Sequence, residues 1–215
     1  MLKFYLTFNQ LRIFYRPSVT EKEVCMANRK EIIAAAKASF VKYGIVKTTL
    51  DIVARECDVQ KTAIYYYFKN KDDLIQSTLE DIVLETKNEF DKLLEFQGDF
   101  RSRLQHLMQG QLESFLKRKH FMVTIRNIDI QSKFIQFAIQ IRDDLFNYLH
   151  QNYFTVLQEG IKEGLIKSDY IDPAIQIITR SITSYAYEIL VYDKEIPVSQ
   201  ITDQTLDVVL NGIKA

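Results

Sequence analysis

Gln60, Lys61 and Thr62 form a short polar run that is followed by three consecutive tyrosines, Tyr65 to Tyr67. A lysine can donate hydrogen bonds to guanine, a glutamine can pair with adenine, and a threonine can offer a base edge its methyl or hydroxyl group. Hydroxyl and ammonium groups around such a run can hold phosphates. Presented on one helix, these residue types suit contact with the base edges and phosphates of double-stranded DNA.

Residue types that carry catalysis are present but isolated. The histidines at positions 106, 120 and 150 have no recognisable nucleophile or metal-binding partner, and no glycine-rich phosphate loop occurs. Cys25 and Cys57 lack cysteine or histidine neighbours at metal-ligand spacing. We therefore expect no enzyme, no metal site and no cofactor. A redox-sensing role for Cys57 is one alternative.

Two short helices joined by a turn are expected to position the polar run. Thr48 and Thr49 precede an apolar stretch, which is typical of a helix capped by a hydroxyl group. Helical spacing resumes from Gln60 to Tyr67, after a turn at residues 57–59. Asp58 would take the left-handed turn position, which aspartate tolerates. This pattern predicts a helix-turn-helix.

The remainder of the chain after Met26 also has helical periodicity, so we expect an all-α fold. A first helix is predicted from Asn28, as its N-cap, to Tyr43, with Gly44 ending it. The other predicted helices are Lys71–Phe96 after an Asn70 capping box, Arg101–Lys117, Phe121–Arg126, Ser132–Glu163 ending at Gly164, Asp172–Tyr192 opened by Asp172 and Pro173, and Ser199–Ile213.

Charge is distributed unevenly although the 215-residue chain is neutral overall, with 28 basic and 28 acidic residues. Between Met26 and Asp72 there are nine Lys and Arg against five Asp and Glu, and from Asp73 onward acidic residues predominate. We assign residues 26–72 to a DNA-binding domain and residues 73–215 to a larger helical domain. Residues 1–25 are interpreted as an extension, with Met26 as the alternative start or with a short amphipathic arm as the other interpretation.

The segment from Thr48 to Leu74 resembles the TetR family of transcriptional regulators (TetR/AcrR type). The paired threonines, Ile64-Tyr65 and the run Phe68 to Lys71 match its signature, and a wider set matches its first helix: Arg29, Ile33, Ala36, Phe40 and Gly44. The chain departs from the family pattern at Asp58 and Thr62, where glycine is usual or frequent, and at Gln60, where serine is frequent. These departures imply an individual operator sequence.

The placement of the helix-turn-helix in a major groove assigns Gln60, Lys61 and Thr62 to base contacts. Around them, we expect phosphate contacts from Thr49, Tyr65, Tyr66, Tyr67 and Lys71. The resemblance implies a cytoplasmic homodimeric repressor whose two recognition helices lie roughly 34 Å apart on a palindrome. It also implies that a small-molecule effector in the C-terminal domain changes this separation.

An apolar or acyl effector would suit a lining of aromatic, aliphatic and methionine side chains. The candidates for this pocket are Leu104, Leu107, Met108, Phe115, Met122, Phe134, Phe137, Ile141 and Tyr148, which can also be ordinary core residues. His106 or Arg126 can orient an acidic group or have a structural role.

The last two predicted helices have mixed faces that suit packing against a symmetric copy or against their own chain. The candidate dimer contacts are Ile178, Ser181, Ile182, Tyr185, Ile189, Leu206, Val209 and Leu210. Two other classes of protein stay open: a DNA-bound architectural or partner-regulated protein of the same fold without a small ligand, and a helical lipid-binding module. The sequence has no run of about 18 apolar residues, so no membrane span is predicted.

Overall fold

The computed structural model describes residues 27–118, 135–192 and 194–214, and these residues form an all-α fold. The helices are α1 Arg29–Tyr43, α2 Leu50–Glu56, α3 Lys61–Tyr67, α4 Lys71–Leu94, α5 Phe100–Lys117, α6 Ile135–Lys162, α7 Ile171–Tyr192 and α8 Val198–Ile213. A 3₁₀ turn, Ser168–Tyr170, precedes α7, and an isolated antiparallel bridge joins Ile166 to Lys214. The predicted helix Phe121–Arg126 lies outside the described residues.

Local signals set the ends of the first helix as the sequence predicts. Asn28 Oδ1 accepts a hydrogen bond from the Glu31 amide at 3.0 Å, and the Glu31 carboxylate accepts one from the Asn28 amide at 2.8 Å. Two of the amides left free at the helix N-terminus are thereby satisfied. Gly44 follows the helix with a φ of 80°, which is a conformation that residues with a Cβ rarely adopt.

Two later helix starts differ from the prediction. Asn70 caps α4 through the Asp73 amide, but the Asp73 carboxylate accepts from the Lys69 amide at 2.8 Å, so the reciprocal bond of a capping box is displaced by one residue. Helix α7 begins before Asp172, because the 3₁₀ turn leads directly into it and the Ile171 amide donates to Ser168. Asp172 therefore lies in the first turn and pairs with His150, 3.1 Å away.

The helices enclose two hydrophobic cores. The N-terminal core contains Ala27, Ile32, Ile33, Ala36, Phe40, Ile45, Leu50, Val53, Ala54, Ile64, Phe68, Leu74, Ile75, Leu79 and Ile141. The C-terminal core takes side chains from α4 through α8 and includes Phe90, Leu104, Met108, Tyr153, Ile178 and Leu206. Helix α4 contributes to both cores. Because α4 begins at Lys71, the predicted domain boundary between residues 72 and 73 falls inside its first turn.

Membrane insertion has no support among the described helices. Each of them is either too short or too polar to span a bilayer.

Candidate nucleic-acid interface

Helix α3 has one buried face and one exposed face. Ile64 is completely buried in the N-terminal core, and Phe68, just after the helix, is almost completely buried as well. On the other side, Tyr65 is 51% exposed and Tyr66 is 74% exposed. The four-residue spacing of Ile64 and Phe68 holds the helix on the core, so the exposed face is free to enter a groove.

The turn before α3 has the geometry that the sequence predicts. Asp58 has a φ of 53°, and it is the one residue other than glycine with a positive φ in the described part of the chain. The Val59 amide then donates to the Ala54 carbonyl at 3.0 Å, closing the turn. Aspartate takes this left-handed position with less strain than most residues, so the departure from glycine preserves the helix-turn-helix.

The paired threonines have separate roles in positioning α2. Thr48 is buried, and its hydroxyl donates to the carbonyls of Gly44 at 2.8 Å and Ser39 at 3.2 Å. Thr49 is exposed and caps α2, accepting from the Ile52 amide. A hydroxyl that accepts one bond can still donate another. Thr49 is therefore chemically able to donate to a phosphate, whereas Thr48 is committed to the fold.

The three predicted base-contacting residues lie together at the start of α3, and all three are exposed. Gln60 is at the N-cap position, but its side chain makes no capping hydrogen bond. Lys61 Nζ lies 2.8 Å from Asp51 Oδ2 on α2, and this hydrogen bond raises the pKa of Lys61. Asp51 has no signal in the sequence that marks it as the partner of Lys61.

The ammonium group of Lys71 was predicted to be available to a phosphate, but it is already bonded to the protein. Its Nζ donates to the Val46 carbonyl at 2.8 Å, and desolvation lowers its pKa. The bond ties the start of α4 to the loop between α1 and α2. Exposed Lys47 and Lys69 lie next to the two linked segments, and sequence reasoning overlooked them although they adjoin Thr48 and Asn70.

The tyrosines are not equivalent. Tyr65 and Tyr66 are exposed, whereas Tyr67 is half-buried and packs against the N-terminal core. The rings of Tyr66 and Tyr67 meet edge to face with centroids 4.8 Å apart. This contact fixes the orientation of the exposed Tyr66 ring, because edge-to-face packing is favourable for aromatic pairs.

Cys57 has the surroundings of a structural residue. It is half-buried, and burial, with the negative charges of Glu31 and Glu56, raises its pKa. Because the thiolate is the reactive form of cysteine, a raised pKa lowers reactivity. The redox-sensing alternative therefore has no support here.

The predicted pocket residues divide between the two cores. Leu104, Leu107, Met108 and Phe115 belong to the C-terminal core, whereas Ile141 belongs to the N-terminal core and Phe137 packs against it. Tyr148 is half-buried, donates to the Lys87 carbonyl and to Asp91, and has its pKa raised to about 12, chiefly by desolvation. Met122 and Phe134 lie outside the described residues.

His106 and Arg126 are the residues predicted to orient an acidic group of a ligand. His106 stacks on Phe96, with ring centroids 4.3 Å apart. Arg126 and His120 lie outside the described residues. Among the residues described, no group of three or more His, Cys, Asp or Glu side chains is arranged to hold a metal ion.

The predicted dimer contacts face largely inward. Ile178, Ile182, Leu206 and Val209 are buried in their own chain, and Ser181, Tyr185, Ile189 and Leu210 are partly buried. The same helices instead expose other apolar side chains, including Ile177 on α7 at 51% and Val208 on α8 at 72%. Helical phase accounts for the difference, since each of these two is one residue away from a predicted contact.

Comparison with known proteins agrees with the helix-turn-helix geometry. Residues 32–78 match the family model described as bacterial regulatory proteins, tetR family. The HTH-type transcriptional regulator YhgD of Bacillus subtilis (strain 168) is 29% identical over 172 residues, covering 78% of this chain and 84% of that protein.

Solved structures share the fold over most of the chain. FadR from Bacillus subtilis in complex with stearoyl-CoA has a TM-score of 0.69 at 18% identity, with 86% of this chain and 100% of that chain covered. SmeT, the repressor of the Stenotrophomonas maltophilia multidrug efflux pump SmeDEF, has a TM-score of 0.66 at 18% identity, covering 88% of this chain and 91% of that one.

Proposed function

We propose that this chain is a DNA-binding transcriptional regulator of the tetR family, and that it is a repressor that binds a palindromic operator as a homodimer. A small apolar or amphipathic effector releases it from the DNA. The proposal rests chiefly on the exposed face of α3 above the buried Ile64 and Phe68.

Base contacts are assigned to Gln60, Lys61 and Thr62 at the start of α3. The exposed position of all three supports this assignment. Asp51 holds the Lys61 ammonium group within 2.8 Å before DNA binds. This fixes part of the flexible lysine side chain, which reduces the entropy lost on binding.

Phosphate contacts are assigned to Thr49, Tyr65 and Tyr66, which are exposed around the start of α3. Tyr67 and Lys71 are assigned a supporting role, since one packs on the core and the other donates to Val46. Lys47 and Lys69 add exposed positive charge beside them. Such charges raise affinity for DNA of any sequence.

The dimer is assigned to the outer faces of α7 and α8, with Ile177 and Val208 as its apolar contacts. Both side chains are more than half exposed, and they belong to helices that pack on each other. Burial of the same patch from two symmetric copies would remove this apolar surface from water. The effector is assigned to the C-terminal domain, and the neighbour FadR from Bacillus subtilis, whose structure contains stearoyl-CoA, shows that a protein of similar fold binds an acyl compound.

Selection of bound sequences from a random DNA pool by the full chain tests the repressor and the dimer together. We expect a palindrome with half-site centres about one DNA turn apart. A single half-site would contradict the dimer, and recovery of unrelated sequences would contradict specific binding. Release of the selected DNA by extracts of the source cells would distinguish an effector-controlled repressor from the architectural alternative.

Substitution of Lys61 tests the assignment of α3. Lys61→Ala should lose about 1–3 kcal/mol of discrimination at one base position, because the base would lose its ammonium partner. Competition binding with single-base operator variants measures this loss. Lys162→Ala, the same change at an exposed position on α6, should leave discrimination unchanged. Equal behaviour of the two variants would refute the assignment.

A further inference from the structure

Gln111 places an amide group inside the C-terminal core. Its side chain is almost completely buried, and its Oε1 accepts a hydrogen bond from the hydroxyl of fully buried Tyr153 at 2.7 Å. Burial raises the pKa of Tyr153 well above its ordinary value, so this hydroxyl stays protonated and donating. Gln111 and Tyr153 therefore form an uncharged polar pair, which we call the Gln111–Tyr153 pair.

The other end of the Gln111 amide is not satisfied by the protein. Gln111 Nε2 is buried and has no hydrogen-bond partner within the described part of the chain. This nitrogen carries two donor hydrogens. Buried polar groups in native proteins are nearly always paired, so an unpaired donor at this depth indicates a partner that these residues do not supply.

The surroundings of the pair define the chemistry of that partner. Phe90 packs edge to face against Tyr153, with ring centroids 6.2 Å apart. Met108 and Phe115, three residues before Gln111 and four after it, are buried on the same face of α5. An apolar molecule suits this environment, and the flexible Met108 side chain can adjust to its shape.

Arg118, which directly follows α5 and is seven residues after Gln111, is already neutralised. Arg118 donates to the Glu89 carboxylate at 3.0 Å and to the Ser114 hydroxyl at 2.8 Å. A carboxylate placed beside Gln111 would therefore be buried without a cation from Arg118, which is unfavourable. An uncharged acceptor beside Gln111 carries no such penalty.

We propose that Gln111 is the polar anchor of the effector site and that its Nε2 donates to a carbonyl, ether or hydroxyl oxygen of an uncharged, mostly apolar molecule. Tyr153 holds the amide in the donating orientation by bonding to its oxygen. The inference rests on the proposed function, in which an effector binds the C-terminal domain.

Three naphthalene probes of similar shape test the anchor: 2-acetylnaphthalene, with a neutral acceptor, 2-ethylnaphthalene, with none, and 2-naphthoate, with a charged one. Binding to the full chain is measured by titration of probe fluorescence. We expect the ketone to bind about tenfold more tightly than the ethyl compound, as one hydrogen bond implies, and more tightly than the carboxylate.

Two variants complete the test. Gln111→Leu combined with Tyr153→Phe removes both partners with little change of shape, a replacement that folded proteins tolerate, and it should bind the ketone and the ethyl compound equally. Gln109→Leu makes the same change two residues away and should keep the preference. Failure of all three probes to bind wild type, equal wild-type binding of the ketone and ethyl compound, or a preference that survives in the double variant would overturn the anchor.

The anchor and the repressor can fail separately. The probe titration contains no DNA, and the random-pool selection contains no effector. A chain that selects a palindrome without preferring the ketone lacks the anchor only. A chain that prefers the ketone without selecting specific DNA lacks the repressor function only.

Discussion

The N-terminal and C-terminal cores place their polar groups in opposite ways. In the N-terminal part, polar side chains such as Lys61 and Tyr66 lie outside the core. The buried groups there include the hydroxyl of Thr48, which donates to backbone carbonyls, and that of Ser39, which has no partner among the described residues. In the C-terminal part, Gln111 and Tyr153 are inside the core, and the side-chain amide nitrogens of Gln111 and Asn152 are buried without a partner among the described residues. The difference indicates recognition on an outer surface in the first and in an interior in the second.

Two helices join these regions. Helix α4 places Leu79 in the N-terminal core and Phe90 in the C-terminal core. Helix α6 places Ile141 in the N-terminal core and Tyr153 in the C-terminal core. Lys37 on α1 adds ion pairs to Asp81 and Glu85 of α4. A change in the packing of α4 or α6 is therefore felt by both cores, since packed interiors transmit strain.

The largest effect is expected beneath the exposed face of α3. Ile64→Ala should lower the free energy of unfolding by about 2–5 kcal/mol, because it removes a completely buried side chain and leaves a cavity. Urea denaturation followed by circular dichroism measures the change. Tyr66→Ala is the matched change on the exposed face and should cost no more than about 0.5–1.5 kcal/mol, the value of its ring contact with Tyr67, while weakening DNA binding.

The contrast between the buried and exposed faces of α3 is contradicted if the two variants behave alike. Similar loss of stability from both would mean that α3 has no free face. Unchanged DNA affinity in Tyr66→Ala would remove Tyr66 from the interface.

A smaller effect is expected where α4 crosses α5 in the C-terminal core. A Cβ at Gly110 would overlap the Leu93 side chain, so Gly110→Ala should cost about 1–3 kcal/mol through overpacking. Gly212→Ala is the matched change on α8, where a Cβ would meet nothing within 4 Å, and it should stabilise the helix by about 0.5–1 kcal/mol.

Thermal melting of both glycine variants tests whether the two cores unfold together. Because α4 is common to both, we expect Gly110→Ala to shift a single transition that includes the N-terminal helices. Two separate transitions would show that the cores unfold independently, and a stabilised Gly110→Ala would mean that the two helices can move apart.

Features of the fold that depend on neighbouring residues were predictable from the sequence. Asn28 and Thr49 cap their helices, Asp58 has a positive φ, and Gly164 does too, as the local patterns indicate. Each of these outcomes is decided by a side chain and by backbone groups a few residues away. Helix order and the helix-turn-helix followed from such signals.

Contacts between distant residues were not predictable in the same way. The Lys61–Asp51 pair, the Lys71–Val46 bond and the place of Ile141 in the N-terminal core depend on how the helices pack. Which side chains of α7 pack on their own chain was not predictable for a related reason, since an apolar stripe gives its period but not which neighbour it meets. The unpaired Gln111 donor has no sequence signal, because burial alone makes it unusual.

The smallest effect expected is that of one ion pair at the edge of the C-terminal core. The hydrogen bond from Arg118 lowers the pKa of Glu89. A carboxyl group with a lowered pKa stabilises the fold above its ordinary pKa, and this stabilisation is lost as the pH falls through the folded-state pKa. Glu89→Gln should therefore destabilise the protein at pH 7 and have little effect once wild-type Glu89 is protonated. Glu89 is 40% exposed, so solvent screening limits the effect at pH 7 to about 0.2–1 kcal/mol.

Urea denaturation at pH 7 and at an acidic pH where the wild type stays folded measures this difference. Glu113→Gln changes an exposed carboxylate on α5 and serves as the matched control. A loss in Glu89→Gln that is the same at both pH values would mean that shape and packing, not charge, account for the contribution of Glu89. In that case Arg118 would not be neutralised by an ion pair, and the exclusion of a charged effector from the neighbourhood of Gln111 would lose its electrostatic basis.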